Sequence, residues 1–287
     1  MSDPRPLRLA GGRLAALSVG DDHAPTWLAL HGWLDNAASF SRLAPLLAER
    51  LGIRLVAIDF AGHGLSAPLP GGGDYAIWDY CHDVLDALES LELEQVTLLS
   101  HSMGAGVACL TAAAFPEHAS RLVLIDGIGT LTTPAGDAHT QLRKGLKGHR
   151  RPVSPAPRYA DIDSAVAARV AGGATPIDAD TARPLVARNL LALADGHQQL
   201  RTDGRLLRPS LVRLCPEQVR AMLERIDCPV LLVEGEQGIL AEREHAAAAR
   251  AAILSLTRRV IPGGHHLHLE AGAVNAVAEA IVAWQRS

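Results

Sequence analysis

Cysteine and lysine are both scarce in this chain of 287 residues, and no long apolar run occurs in it. The four cysteines, Cys81, Cys109, Cys215 and Cys228, are scattered without CxxC spacing. That speaks against a structural zinc site and fits reduced thiols in a cytoplasmic protein. Lys144 and Lys147 are the only lysines, so arginine carries almost all the positive charge, which we read as compositional bias. Lys and Arg together number 27 against 31 Asp and Glu, for a formal net charge of -4. Such a balance gives no electrostatic reason to expect nucleic acid or an anionic membrane as a partner. No run of apolar residues reaches the length that spans a bilayer. The N-terminal stretch MSDPRPLRLAGGRL has no apolar core of signal-peptide length behind its charges. No Gly-rich dinucleotide loop follows the first strands, so no cofactor is expected. The partner these absences leave is a small-molecule substrate; oligomeric state is not readable from them.

What is present is an ordinary globular composition, 48% hydrophobic and 20% charged, long enough to bury a sizeable core. Apolar runs of strand length alternate with helix-length periodic segments, the pattern of a mostly parallel sheet covered by helices. Leu7–Leu9 and Leu14–Ser18, separated by Gly11-Gly12, predict an opening antiparallel hairpin. Strands are expected at Trp27–His31, Leu55–Asp59, Val96–Ser100, Leu122–Asp126, Val230–Glu234 and Arg259–Pro262. Each is apolar on both faces, as strands buried on two sides are. Helices are expected at Tyr75–Leu91, Ser102–Phe115, Ala241–Leu254 and Gly272–Trp284.

The rhythm breaks for about a hundred residues between Asp126 and Val230, where Pro and Gly recur and no buried strand stands out. Two amphipathic stretches, Ala160–Ala171 and Ala179–Ala194, lie within it. A structureless loop of that length does not suit a compact domain. The expectation is therefore a core made of residues 1–126 and 229–287, with residues 127–228 inserted as a helical cap. The basic run Arg143–Arg151 inside it reads as a solvated face.

The chemistry-bearing signal is Val96-Thr-Leu-Leu-Ser-His-Ser-Met-Gly-Ala-Gly106. A buried strand runs through Ser102 into a helix of small residues, the context of a nucleophile elbow, usually spelled G-x-S-x-G. A tight turn there lifts one hydroxyl above the sheet, and its flanks must be small because two backbones pass close by. Gly104 and Gly106 fit; Ser100 stands where the first Gly is usual. Two distant segments belong with it: Leu28-Ala-Leu-His-Gly-Trp-Leu-Asp-Asn36, and Ile261-Pro-Gly-Gly-His-His-Leu-His-Leu-Glu270 after the last strand. His265, His266 and His268 compete in the second. Three clustered histidines raise the question of a metal, but no second acidic or cysteine cluster has ligand spacing, so none is expected.

These segments, with Asp59-Phe-Ala-Gly-His-Gly-Leu-Ser66, resemble the α/β-hydrolase superfamily along nearly the whole chain. HGWLDNAASF and GGHHLHLE are similar to the serine hydrolase-like proteins and their bacterial relatives. The resemblance implies an α/β-hydrolase fold: an eight-stranded, mostly parallel sheet whose second strand is antiparallel. It implies Ser102 as nucleophile, His265 as base, and the backbone N–H groups of Trp33 and Met103 as the oxyanion hole. It leaves the acid open. The family's usual place for it is the end of a Gly-x-x-Asp turn, and here that turn reads Gly235-Glu-Gln-Gly238. We assign Asp126, at the end of the sixth strand, with Glu236 as the alternative and a site without a conventional acid as the third reading. The implied activity is hydrolysis of a carboxylic ester-type bond. A thioesterase, a C–C bond hydrolase, or a binding protein that has lost its chemistry are the rivals.

Overall fold

The computed structural model describes residues 3–71, 73–173, 175–240 and 244–287. The chain opens with β1 (Arg5–Leu9), β2 (Leu14–Val19) and β3 (Thr26–Leu30), followed by α1 (Leu43–Leu51) and β4 (Arg54–Ile58). Then come α2 (Asp79–Ser90), β5 (Val96–His101), α3 (Met103–Ala114) and β6 (Ala119–Ile125). A long insertion carries α4 (Ala138–His149), β7 (Arg158–Tyr159), α5 (Ile162–Gly172), α6 (Ala179–Asn189), β8 (Leu190–Ala192), β9 (Gln198–Leu200) and α7 (Pro216–Leu223). The chain returns to the sheet through β10 (Val230–Gly235), α8 (Glu244–Ala252), β11 (Leu256–Ile261) and α9 (Val274–Gln285). The first residues of the helix expected over Ala241–Leu254, 241–243, lie outside the described residues.

Among the described residues the main sheet has eight strands in the order β1-β2-β4-β3-β5-β6-β10-β11. β2 is antiparallel to both its neighbours, and the pairs from β4 to β11 are all parallel. Side chains alternate between the faces, as the two-residue period of a strand requires. Leu28, Leu30, Val56 and Ile58 face one core with Val84, Leu88 and Val107 of α2 and α3. Trp27, Ala29, Leu55 and Ala57 face the other, with Leu43, Leu47, Val277 and Ile281 of α1 and α9. This is the α/β-hydrolase fold that the sequence pattern implies, and no helix among the described residues is long and apolar enough to cross a membrane.

The insertion is not wholly helical. β7, β9 and β8 make a small antiparallel sheet, so α6 stops at Asn189 rather than running on to Ala194. Asp195-Gly196 turns the β8–β9 hairpin, with Gly196 at φ 86, a value glycine adopts without strain. Pro184 sits inside α6. It cannot donate to the Asp180 carbonyl, and Arg42 Nη2 donates to that oxygen instead, at 3.4 Å. The basic residues of α4, Arg143, Lys144 and Lys147, are exposed, while Gly145 is buried where α4 crosses Leu211.

Candidate active site

Ser102 lies between β5 and α3 with φ 52 and ψ -115. For a residue with a side chain such a backbone costs on the order of 1–3 kcal/mol, and it persists only where its surroundings enforce it. They do. A Cβ on Gly104 would lie 2.3 Å from the Leu30 carbonyl oxygen, and one on Gly127 would lie 2.6 Å from the Ser102 carbonyl oxygen. Ser100 is fully buried and donates its hydroxyl to the Val123 carbonyl at 3.3 Å, which accounts for a serine at this crowded position.

Ser102 Oγ is 3.0 Å from His265 Nε2, and His265 Nδ1 is 2.6 Å from Asp126 Oδ2. With Nδ1–H donating to the carboxylate, Nε2 carries the lone pair and accepts from the serine hydroxyl. Burial lowers the His265 pKa from its ordinary value, helped by the nearby His101 and opposed by Asp126, so the ring rests as a neutral base. Glu270 fixes the loop that carries this histidine: both its carboxylate oxygens accept from Gly264 N–H, at 3.1 and 3.0 Å.

Asp126 is fully buried at the end of β6 with φ 42. Its carboxylate also accepts the N–H groups of Gly235, the last residue of β10, at 3.4 Å and of Ile239, in the turn that follows, at 2.8 Å. These donors hold the group in place. Glu236 is exposed on the same turn. The glycine at 238 has a spatial reason. A Cβ there would lie 2.2 Å from Asp126 Oδ1. The carboxylate from β6 thus occupies the space that a side chain on the turn would need, and the two placements of an acid exclude each other.

The His31-Gly32 loop follows β3. Phe60 N–H donates to His31 Nε2 at 3.0 Å and His31 Nδ1–H donates to the Gly32 carbonyl at 2.8 Å. Burial pushes the His31 pKa down to about 4, so this histidine is a neutral brace. Asn36 caps the next turn by accepting from Ala38 N–H, and donates to the Leu185 carbonyl of α6. Among the described residues neither Trp33 N–H nor Met103 N–H has a hydrogen-bond acceptor. The latter belongs to the first turn of α3, where backbone N–H groups lack intrahelical partners and favour negative charge. The Trp33 indole donates to the Leu206 carbonyl of the insertion at 3.2 Å.

One group escapes the linear reading. Asp35, His101 and His266, from three separate segments, bring their ligand-type atoms within 4.8 Å of one another, all buried. His268, on the same loop as His265, turns away from Ser102 and bonds to Ser39 Oγ at 2.8 Å. Only its short spacing from His265 placed it among the candidates; the fold directs it elsewhere. Asp59, in the turn after β4, accepts from Ala37 N–H and Leu65 N–H and pairs with Arg188, a structural arrangement.

The description "alpha/beta hydrolase fold" matches residues 25–272 of the chain. This protein belongs to the α/β-hydrolase family. A serine hydrolase-like protein of Dictyostelium discoideum is 34% identical over 254 residues, 85% of this chain and 70% of that protein. A crystal structure of a protein from Pseudomonas aeruginosa PAO1, described as hypothetical, is 41% identical with a TM-score of 0.88 and covers 100% of both chains. The thioesterase domain from the curacin biosynthetic pathway aligns with a TM-score of 0.81 at 24% identity, over 98% of this chain and 99% of that one, a likeness of fold. This α/β hydrolase is similar to the serine hydrolase-like proteins, and hydrolase is the activity class these relationships support.

Proposed function

We propose that the protein hydrolyses a carboxylic ester-type bond of a small molecule through an acyl-enzyme on Ser102. The observation that carries the reading is the continuous chain Ser102 Oγ–His265–Asp126, with hydrogen bonds of 3.0 and 2.6 Å. In the first step His265 Nε2 takes the Ser102 proton as Oγ attacks the carbonyl carbon. Asp126 stabilises the imidazolium that forms, and the N–H groups of Trp33 and Met103 receive the charge developing on the carbonyl oxygen. Collapse of the tetrahedral species expels the alcohol, which leaves with the proton held by His265. Water then attacks the acyl-enzyme with His265 again as base, releasing the acid and restoring the serine. The scheme uses only this chain's groups and water. The contact between Asp126 and His265 also weakens the case for a binding protein without chemistry, because that case rested on the glycine at 238.

In this reading residues 127–228 are a cap that selects the substrate, since the fold itself does not. Four unpaired thiols are compatible with a cytoplasmic setting. The test is a panel of esters of increasing acyl length beside the matching acyl-CoA thioesters. Turnover of simple esters is the expected result. Turnover confined to thioesters would make the protein a thioesterase with the same apparatus, and turnover of neither would remove the ester reading.

A further inference from the structure

Asp35 of the loop after β3, His101 at the end of β5 and His266 of the histidine loop converge in the interior, all three buried. Asp35 Oδ2 is the shared corner: His266 Nε2 lies 3.3 Å from it and His101 Nδ1 3.5 Å. Both separations are longer than the 2.6 Å at which the buried His265 imidazole meets Asp126, where a hydrogen bond joins ring and carboxylate. They match instead the spacing of two ligands on one ion. Zn–N and Zn–O bonds of about 2.0–2.2 Å at tetrahedral angles place ligand atoms about 3.3–3.6 Å apart. All three ligand atoms lie within 4.8 Å of one another, and no other such group of His, Cys, Asp or Glu occurs among the described residues.

The surroundings fit an ion. His101 Nε2 donates to the His265 carbonyl at 2.9 Å, which leaves Nδ1 facing Asp35 with no hydrogen-bond partner. An outer N–H bonded to a backbone carbonyl is the usual way a metal-bound histidine is oriented. Gly32 keeps the space beside two of the ligand atoms clear, since a Cβ there would lie 2.9 Å from His101 Nδ1 and 3.1 Å from Asp35 Oδ2. His266 is the less complete ligand. With Nε2 on the ion, its hydrogen sits on Nδ1, which has no acceptor. That nitrogen has no partner in either case, whereas His101 Nδ1 gains one, so binding lowers the buried unpartnered nitrogens of the trio from two to one. Two imidazoles with one carboxylate suit Zn2+ rather than Mg2+ or Ca2+, which take oxygen ligands. The fourth tetrahedral position falls to water.

We propose that Asp35, His101 and His266 bind one Zn2+, which clamps together the loop of Trp33, the elbow of Ser102 and the loop of His265. Asp35 stands two residues after Trp33, His101 immediately before Ser102 and His266 immediately after His265. One ion therefore fixes the backbone beside each of the three groups without touching a reacting atom. Spacing along the chain gave no reason to expect a metal, because the ligands come from three segments that only the fold brings together. His268 stands outside the group, with its Nε2 bonded to Ser39.

The test is the metal content of the full chain, purified without a histidine tag or chelator and measured by mass spectrometry, together with the spectrum of its Co2+ form. About one Zn2+ per chain is expected, either as purified or after equimolar Zn2+ and dialysis. Co2+ in its place should give the strong visible absorption of a tetrahedral ion. Asp35→Asn, His101→Gln and His266→Gln should each lower the content by about tenfold or more, while His268→Gln keeps it. Stripping the ion with dipicolinate should lower Tm by at least about 5 °C, and Zn2+ should restore it. A chain that stays metal-free when Zn2+ is offered overturns the proposal. So does a weak, six-coordinate Co2+ spectrum, or full content in the three variants, since either traces the ion to surface histidines. An unchanged Tm on stripping overturns the clamp. The wild-type measurements need no variant, so a variant that fails to fold leaves them standing. None of these readouts uses turnover, so this proposal and the ester reading fail separately.

Discussion

The ends of the sheet strands and the insertion that packs against them are held by different physics. At the strand ends, each placement is enforced by backbone: Ser102 at φ 52, Asp126 at φ 42, and Gly263 at φ 152 in the histidine loop. The side chains of Ser102 and Asp126 both meet His265, Asp126 also accepts two backbone N–H groups, and a Cβ on Gly104, Gly127 or Gly238 would collide with its neighbours. The insertion is fastened by Leu206, Val219 and Leu223, which join one core of the sheet, and by a few polar anchors. Arg188 of α6 forks onto Asp59, with Arg188 Nε 3.0 Å from Oδ1 and 3.1 Å from Oδ2. Arg205 bonds to Asp203 and to the Leu69 carbonyl, and Tyr75 donates to Asp203 at 2.7 Å. Between the anchors the insertion exposes apolar side chains, among them Leu142, Leu146, Leu207 and Val212. In the proposed reading, the strand ends hold what must not move during chemistry, and the insertion holds what can vary with substrate.

The sharpest way to break this contrast is to change the strand ends. Ser102→Ala and His265→Ala should each abolish hydrolysis, with losses of about 10⁴-fold or more in kcat and an unchanged circular dichroism spectrum. The double mutant should be little worse than either single one, because the residues act as a unit. His266→Ala and His268→Ala should be milder. Equal inactivity of a folded His268→Ala protein would mean that the base is misassigned.

Next in size is the acid. Asp126→Asn should lower kcat by at least about 10²-fold with little change in KM, because the amide cannot stabilise the imidazolium. Glu236→Gln, exposed on the neighbouring turn, should stay within about tenfold of wild type. The reverse order of effects in steady-state kinetics would move the acid to Glu236.

A smaller effect on rate is expected from the insertion's anchor. Arg188→Met leaves Asp59 buried without its partner, and breaking such a pair costs about 3–5 kcal/mol. Thermal unfolding should show the loss, and KM should rise more than kcat falls. A kcat collapse at unchanged KM would mean that the insertion takes part in the chemistry, contrary to the division drawn above.

The mildest prediction concerns pH. Because the His265 pKa is lowered, kcat/KM should rise with pH through a midpoint below 6.5 and level off above it. Stability should follow the same direction for another reason. His31 and His63 are buried neutral, with burial pushing their pKa values down to about 4 and about 3. The unfolded chain, with histidines near 6.5, binds more protons than the fold throughout that interval. The Tm should therefore drop as pH falls from about 6.5 toward 4. A flat Tm over that range would contradict neutral burial.

How much of this was legible in the sequence differs between the same two regions. The elbow is a contiguous string whose small residues announce the close approach of backbones, and Gly-His with a glutamate five residues on marks the histidine loop. The end of β6 could be named as a source of the acid, but the reason for Gly238 required the fold, because Asp126 is distant in sequence from the turn it fills. The grouping of Asp35, His101 and His266 was not legible at all: three residues from three segments share no spacing. In the insertion, β7, β8 and β9 are two or three residues long and none of their residues is fully buried. Such strands carry no hydropathy period, and Asp195-Gly196 was the one local hint. The helix of α4 was read only as part of a basic run; Leu142 and Leu146 share one of its faces, but both are exposed and the mean composition of the segment is polar.

The most direct test of the central claim is fluorophosphonate labelling followed by peptide mass spectrometry, on wild type, Ser102→Ala and His265→Ala. The account predicts one adduct on the peptide containing Ser102 in the wild type, none in Ser102→Ala, and much slower labelling in His265→Ala. An adduct on another serine, or labelling that ignores the loss of His265, would contradict it.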